Sequence, residues 1–476
     1  MKDEVYAFLE ITKKDIRFVV GKYREHLGLK IIFKERFKGN WLDDNDVVLD
    51  ISSAKLKLVK AIKNYENTFN QKIINVGIIY PVKTLKIANA SPYKFIKNER
   101  SIVTSEDIKS LYIDAKSINE NEFTKVINVR PYEFLINNKE RRANIKPGFV
   151  ASSISMMAKV YTITKEVYDS HEQVVRFAGK NILTRYFQTY VLAKQCIDEI
   201  HFKEPAVVVD WNTNSLDISF FTRETLIKRV SRQVGINQII SNIAQKINAK
   251  NKVVEMYLFK MLNFGSNKSD GEIIYRKYVN TEKKTIEINA KLLKQLILEE
   301  IFYIIDLVDL DINKEFSKVE KDFKIYFNGK ITELSGIEKI ITRSKFKNKV
   351  FIYYSLVTGA NQIWSTSLCG AIKTCHYANK VSKIFKTSLV EIDKNQYNLN
   401  RQDLNNKNSL NNQVPTNQSL LNPILNQRFN QPIINNQRYV ANPIYQNQNG
   451  LNNQQNHQNI NNLTNQNGII KKQTSR

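Results

Sequence analysis

The sequence predicts an α/β fold of two lobes. Three observations carry that expectation: a strand-turn-strand element near the start, a second one just past residue 200, and a strand-turn-helix element from residue 324. Helical sequence lies between the second and third. In the first element, Tyr6 to Gly21, an apolar run reaches Glu10, turns through Thr12 and Lys13, and resumes as apolar alternation. In the second, Pro205 to Ser219, a valine-rich run ends in Asp210, passes Asn212, Thr213, Asn214 and Ser215, and re-enters alternation at Asp217. In the third, Lys324 to Ile337, a strand runs into Asn328-Gly329 and then towards a helix. At 476 residues the chain is long enough for two lobes, each with its own core.

This frame resembles the actin-like ATPase superfamily, whose phosphate hairpin reads Asp, apolar, Gly, Gly/Thr, Gly, Thr, Thr, Asp. Here Asn212, Thr213 and Asn214 replace the glycines, while Asp210 and Asp217 keep the framing acids. Glu10 stands where the superfamily has Asp, and Asn328-Gly329 resembles its adenosine-contacting Gly-Gly turn. Between residues 40 and 165 the chain resembles the FtsA family of bacterial cell-division proteins. The segments are Val47 to Ile51, the helix-like Leu56 to Tyr65, Ile73 to Pro81, Ser101 to Lys116, Val126 to Ile136, Pro147, and Ala158 to Ile163. In that family they build a small domain inserted in the first lobe. Further on, Gln233 to Ala244 matches the family's Gly-rich entry into a helix, with Gly235 kept. Glu255 falls on its nucleotide-facing Ala-Glu-x-x-Lys segment, with Leu258 at the lysine position.

The resemblance covers about residues 5 to 390 and implies a first-lobe core at 1–80 and the inserted domain at 81–165. A return helix region follows at 166–204, then a second lobe at 205–390 with its outer part at about 225–305. From Asn395 to Asn467 close to half the residues are Asn or Gln, so residues 391–476 are expected to be a disordered tail. A weak repeat lies within it (Asn422 to Phe429, Gln431 to Tyr439, Asn442 to Tyr445), and the chain ends on a basic cluster with only Ile469 and Ile470 apolar. That is too little for an interfacial helix.

Net charge is +26, of which the tail from Asp393 accounts for +6 and leaves +20 on the body. Such a field favours acidic partners, including anionic membrane, although Lys, Asn and Ile enrichment from genome composition explains it equally well. No stacking-aromatic module accompanies the charge, so no specific nucleic acid is expected. Cys196, Cys369 and Cys375 form no CxxC pair, and Cys369, Cys375 and His376 match no zinc spacing, so no metal is expected. Leu292 to Val308 carries Lys294, Glu299, Glu300 and Asp306 and reads as a half-buried helix, not a membrane span. With no apolar signal core at the N-terminus, a cytoplasmic protein is expected, placed by the resemblance at the inner membrane face of the division site.

Glycine serves phosphate loops because the backbone approaches closely with unusual dihedrals. Asn is the least costly replacement at positive φ, so Asn212 and Asn214 are expected to keep the hairpin's shape while crowding the phosphate channel. Thr12 stands in for a glycine and Lys13 for the phosphate-binding hydroxyl. Lys13 either meets phosphate or acts as an internal counter-charge to Glu10 and Asp210. Those two carboxylates would arrange magnesium if it binds, and otherwise cap their turns. Weak or absent binding of ATP and Mg²⁺ is favoured over competent binding, and no residue is in place to position an attacking water, so no enzyme is expected.

The resemblance implies an adaptor that binds the FtsZ C-terminal tail, docking on the outer second lobe near Lys228, Arg229, Arg232, Lys246, Lys250 and Lys252, and self-association. The alternatives are an actin-like scaffold without FtsZ, an ATP-dependent enzyme or chaperone of the superfamily, and a nucleic-acid-binding protein.

Overall fold

Apolar runs broken by short polar turns at the N-terminus produce a meander of β1 (Glu4–Ile11), β2 (Asp15–Arg24) and β3 (Gly28–Lys38). The computed structural model describes residues 4–279, 283–317, 322–382 and 385–389. Helix α1 (Ile51–Phe69) starts where the Asp50 side chain accepts from the Ser53 amide, and ends at Asn70 in the left-handed region. Its buried Ala54, Leu58, Ala61, Ile62 and Tyr65 share one helical face against the sheet. β4 (Asn75–Tyr80) then pairs parallel to β1.

The predicted insertion forms a layer of its own. β5 (Lys86–Ala90), β6 (Tyr93–Phe95), α2 (Ser105–Asn119), β7 (Thr124–Ile136), β8 (Glu140–Arg142) and β9 (Ser153–Thr164) follow in the chain. The sheet order is β5-β9-β7-β8, with β6 also on β9. α2 opens with a capping box between Thr104 and Asp107, and its Ile108, Leu111 and Ala115 bury against the sheet to make a separate small core.

The chain returns through α3 (Lys165–Phe177), β10 (Asn181–Phe187) and α4 (Gln188–Cys196). β10 pairs parallel with β4, so the first-lobe sheet reads β10-β4-β1-β2-β3. The second lobe repeats this plan. β11 (Ala206–Trp211), β12 (Leu216–Thr222) and β13 (Thr225–Arg232) form the meander. α5 (Ile236–Lys246), α6 (Asn251–Met256), the hairpin β14 (Ile273–Val279) and β15 (Lys284–Asn289), and α7 (Ala290–Phe316) come next. β16 (Lys324–Asn328), α8 (Ile337–Ile341) and β17 (Val350–Ile352) complete the sheet order β13-β12-β11-β16-β17. Both sheets are thus an antiparallel trio extended by two parallel strands.

Two placements differ from the sequence expectations. Residues 225–232 belong to β13 of this sheet, so the outer part begins only after that strand. The final helix α9 (Thr366–Ser382) lies against α4 so closely that a Cβ on Gly370 would fall 1.8 Å from the Val191 carbonyl oxygen. Its Leu368, Ala371 and Ile372 share a core with Tyr6, Phe8 and Val19 of the first lobe. The three cysteines are free and buried, and no cluster of metal-ligating side chains occurs among the described residues. Among those residues no helix is long and apolar enough to cross a membrane. The tail, with its repeat and basic end, lies outside the described residues.

Candidate functional site

The first hairpin carries two buried acids, Glu10 and Asp15, and the second carries one, Asp210. Glu10, at the end of β1, is 2% exposed. In the β1–β2 register it lies opposite Arg17, which donates from Nη1 to Glu10 Oε2 at 2.9 Å. Ser367 Oγ donates to the same oxygen at 3.0 Å, and Oε1 is buried without a hydrogen-bond partner. The turn closes on itself, since Thr12 N donates to Asp15 O at 2.8 Å and Asp15 N to Thr12 Oγ1 at 3.0 Å. Asp15 in turn holds Arg36 through two bonds of 2.7 and 2.8 Å. Lys13 points away: its Nζ pairs with Asp44 at 2.5 Å, half exposed. The internal counter-charge expected of Lys13 is supplied to Glu10 by Arg17 instead.

Asp210, 6% exposed, accepts from Asn328 Nδ2 at 2.8 Å and from Gln188 Nε2 at 3.2 Å. Gln188 opens α4, so this bond joins the lobes. Burial, followed by repulsion from Asp217 across the hairpin, pushes the Asp210 carboxyl up to about 6. Asp217 is held by Arg229.

The altered turn is folded onto α5. The Asn212 and Thr213 carbonyls accept from the Ile236 and Asn237 amides at 3.1 and 2.9 Å, and Asn237 Nδ2 donates to Asn214 Oδ1 at 2.8 Å. A Cβ on Gly235 would lie 2.4 Å from the Thr213 oxygen, which explains the glycine there. Neither Asn212 nor Asn214 has a positive φ, so the expectation that they substitute for left-handed glycines is corrected. Asn212 N donates to Ser215 O at 2.9 Å, giving an ordinary tight turn. Gly329 does need its freedom: φ is 97°, and a Cβ would meet the Trp211 oxygen at 2.4 Å. Glu255 is exposed on α6, while Leu258 is fully buried in the second-lobe core.

The basic residues expected to form a docking face are mostly engaged. Lys228 pairs with Glu315, Arg229 with Asp217 and the Val82 carbonyl, Arg232 with Asp311 through two bonds, and Lys246 with Glu300. Lys250 and Lys252 are exposed. Sequence reading missed Arg17, Gln188 and Ser367. Arg17 alone carried a signal, because a two-sided register places it across from Glu10.

No protein-family model matches the chain. Among curated relatives, it is 20% identical to the cell division protein FtsA of Staphylococcus epidermidis over 355 residues, 72% of each protein. It is 22% identical over 342 residues to FtsA of Buchnera aphidicola subsp. Baizongia pistaciae, covering 71% of this chain and 79% of that one. A chain of the PilM-PilN type IV pilus biogenesis complex superimposes with a TM-score of 0.51 at 9% identity, over 77% of this chain and 98% of that one. That likeness speaks to fold alone. In sequence and fold the chain is a divergent, actin-like relative of the FtsA cell-division proteins.

Proposed function

We propose that the protein is a cell-division adaptor that works by binding rather than catalysis, with FtsZ as its partner and a nucleotide site that has been closed by its own side chains. What supports the closed site is the state of the frame. A magnesium nucleotide requires carboxylates open to metal-bound water and amides open to phosphate. One Glu10 oxygen is taken by Arg17 and Ser367 and the other is buried, both Asp210 oxygens are taken by Asn328 and Gln188, and the first amides of α5 by the turn carbonyls. These residues do not fit a magnesium nucleotide.

For the partner, support comes from the FtsA relatives and from the outer second lobe. There, exposed Lys250 and Lys252 precede Met256 and Met261, which are 42% and 55% exposed. Methionines adapt to an apolar anchor, and the lysines attract flanking acids. The test is binding of a fluorescent FtsZ C-terminal peptide to the full chain at low and physiological salt, with and without Mg-ATP. Saturable binding, indifferent to ATP and weakened by Lys250→Glu with Lys252→Glu, is expected. Absence of binding at high protein concentration overturns the adaptor reading and leaves an actin-like scaffold; tight ATP binding overturns the closed site.

A further inference from the structure

The β12–β13 turn is built from two residues that disfavour it. Arg223 and Glu224 occupy the central positions with φ of 48° and 64°, where such turns call for Asn-Gly. Strain of this kind persists only where surrounding structure holds it. Glu224 is 8% exposed, and its amide donates to the Phe202 carbonyl at 2.9 Å. Its Oε2 accepts from Arg130 Nη2 of β7 at 2.7 Å and from Lys194 Nζ of α4 at 3.1 Å. One carboxylate oxygen therefore joins three units: the inserted domain, the returning first-lobe helix and the second lobe.

The charges suit one another. Burial alone would raise the Glu224 carboxyl, yet Lys194 and Arg130 outweigh it and hold the group below its usual range. Lys194 also lies 4.3 Å from the centroid of the Phe202 ring, which closes the apolar side of the cluster. Two neighbouring bonds also cross the boundary, one in each direction. Tyr161 of β9 donates to the Leu226 carbonyl at 2.8 Å, and Arg229 of β13 donates to the Val82 carbonyl at 2.9 Å.

We propose that Arg130, Glu224 and Lys194 form a permanent bolt that fixes the inserted domain and α4 to the strained turn of the second lobe, so that the three units move as one body. Lobes joined by connecting segments are otherwise expected to shift relative to one another. The bolt is independent of FtsZ binding. It predicts one fixed spacing between the inserted domain and the outer second lobe. A buried carboxylate between two cations is little screened, so high salt should leave that spacing intact.

The three native cysteines are buried, so new surface cysteines can be labelled selectively. Spin labels at Lys139→Cys, in the inserted domain, and Lys252→Cys, on α6, report the spacing by pulsed dipolar spectroscopy on the full chain. A single narrow distance distribution, unchanged by high salt, is expected; adding Glu224→Gln should broaden it and introduce longer distances. A broad distribution without that substitution overturns the proposal, as does a superimposable one in a folded Glu224→Gln protein. Should Glu224→Gln not fold, Arg130→Gln leaves the carboxylate its Lys194 partner and carries the same expectation. An unbroadened distribution in folded Arg130→Gln overturns the bolt. Glu133→Gln, which breaks the exposed pair with Arg141 in the same inserted domain, is the control that should change nothing.

Discussion

Arg17 lies directly across the first hairpin from Glu10 and donates to it at 2.9 Å, placing a cation of the chain itself at a buried acid of that hairpin. Glu10 is almost fully buried, whereas the Arg17 side chain keeps 19% of its surface. Removing one partner of a buried pair leaves the other charged and unpaired. Arg17→Met is therefore expected to lower unfolding stability by about 3 kcal/mol, the low end for such a loss because Arg17 is partly solvated. Urea unfolding measures it. Recovery of the lost stability by millimolar Mg²⁺ would show that the acid still accepts a metal, contrary to the closed-site reading.

Three glycines separate crowding from backbone strain. Gly235→Ala drives a methyl to within 2.4 Å of the Thr213 carbonyl, without a positive φ. Gly329→Ala suffers both a 2.4 Å approach to Trp211 and a φ of 97°, while Gly179→Ala has φ 70° in open space. The expected order of destabilisation is Gly329 above Gly235 above Gly179, with Gly179→Ala costing about 1 kcal/mol. Thermal or urea melts rank them. If Gly179→Ala proves more costly than Gly235→Ala, backbone strain rather than crowding governs these turns.

The two hairpins were legible because each is an apolar run that ends in an acid before a short polar turn, whereas the inserted layer was expected only from the resemblance to the FtsA family. Side-chain ownership inside the frame was harder to read. Lys13, three residues past the acid, turns to Asp44, while Arg17, seven residues past it, reaches Glu10 through strand pairing. Gln188 and Asn328 reach Asp210 from elements 22 and 118 residues away, and no local pattern encodes such distances. The ion pairs of the basic residues were hidden for a related reason: Glu315, Asp311 and Glu300, which hold Lys228, Arg232 and Lys246, all lie on α7. The turn residues Asn212 and Asn214 misled because Asn tolerates a left-handed backbone without requiring one.

Asp210 and His171 should give opposing pH dependences. Asp210 is raised to about 6 from an ordinary 3.8, so the folded state binds its proton more tightly than the unfolded chain. Its contribution is complete below pH 3.8 and is lost as pH rises through 6, a change of roughly 3 kcal/mol for a shift of about two units. Burial pushes His171 down to about 4 from 6.5, so its contribution is present above pH 6.5 and lost as pH falls towards 4. Asp210→Asn removes the first slope and leaves the second. Relative to the unsubstituted protein, the variant should gain stability steadily from pH 4 to pH 6.5 in urea titrations. Parallel curves for the two proteins would mean that Asp210 keeps its ordinary acidity.

Ser388 joins the last described segment to the first-lobe sheet. It sits between the start of β1 and the residue before β4: its amide donates to Val5 O at 2.9 Å, and its carbonyl accepts from Ile74 N at 2.8 Å. Its hydroxyl oxygen accepts from the Ala7 amide at 2.8 Å, and Asn75 Nδ2 donates to the Thr387 carbonyl at 2.9 Å. Ser388 is wholly buried, so every one of these bonds is made away from water. Ser388→Ala leaves the Ala7 amide unpaired in that setting and is expected to cost about 1–3 kcal/mol. A chain ending at Leu389 retains the whole segment and should unfold like the full-length protein. One ending at Ser382 removes it, opens the gap between β1 and β4, and should melt at a clearly lower temperature. Equal melting of the two truncated chains would mean that the segment rests on the sheet without supporting it.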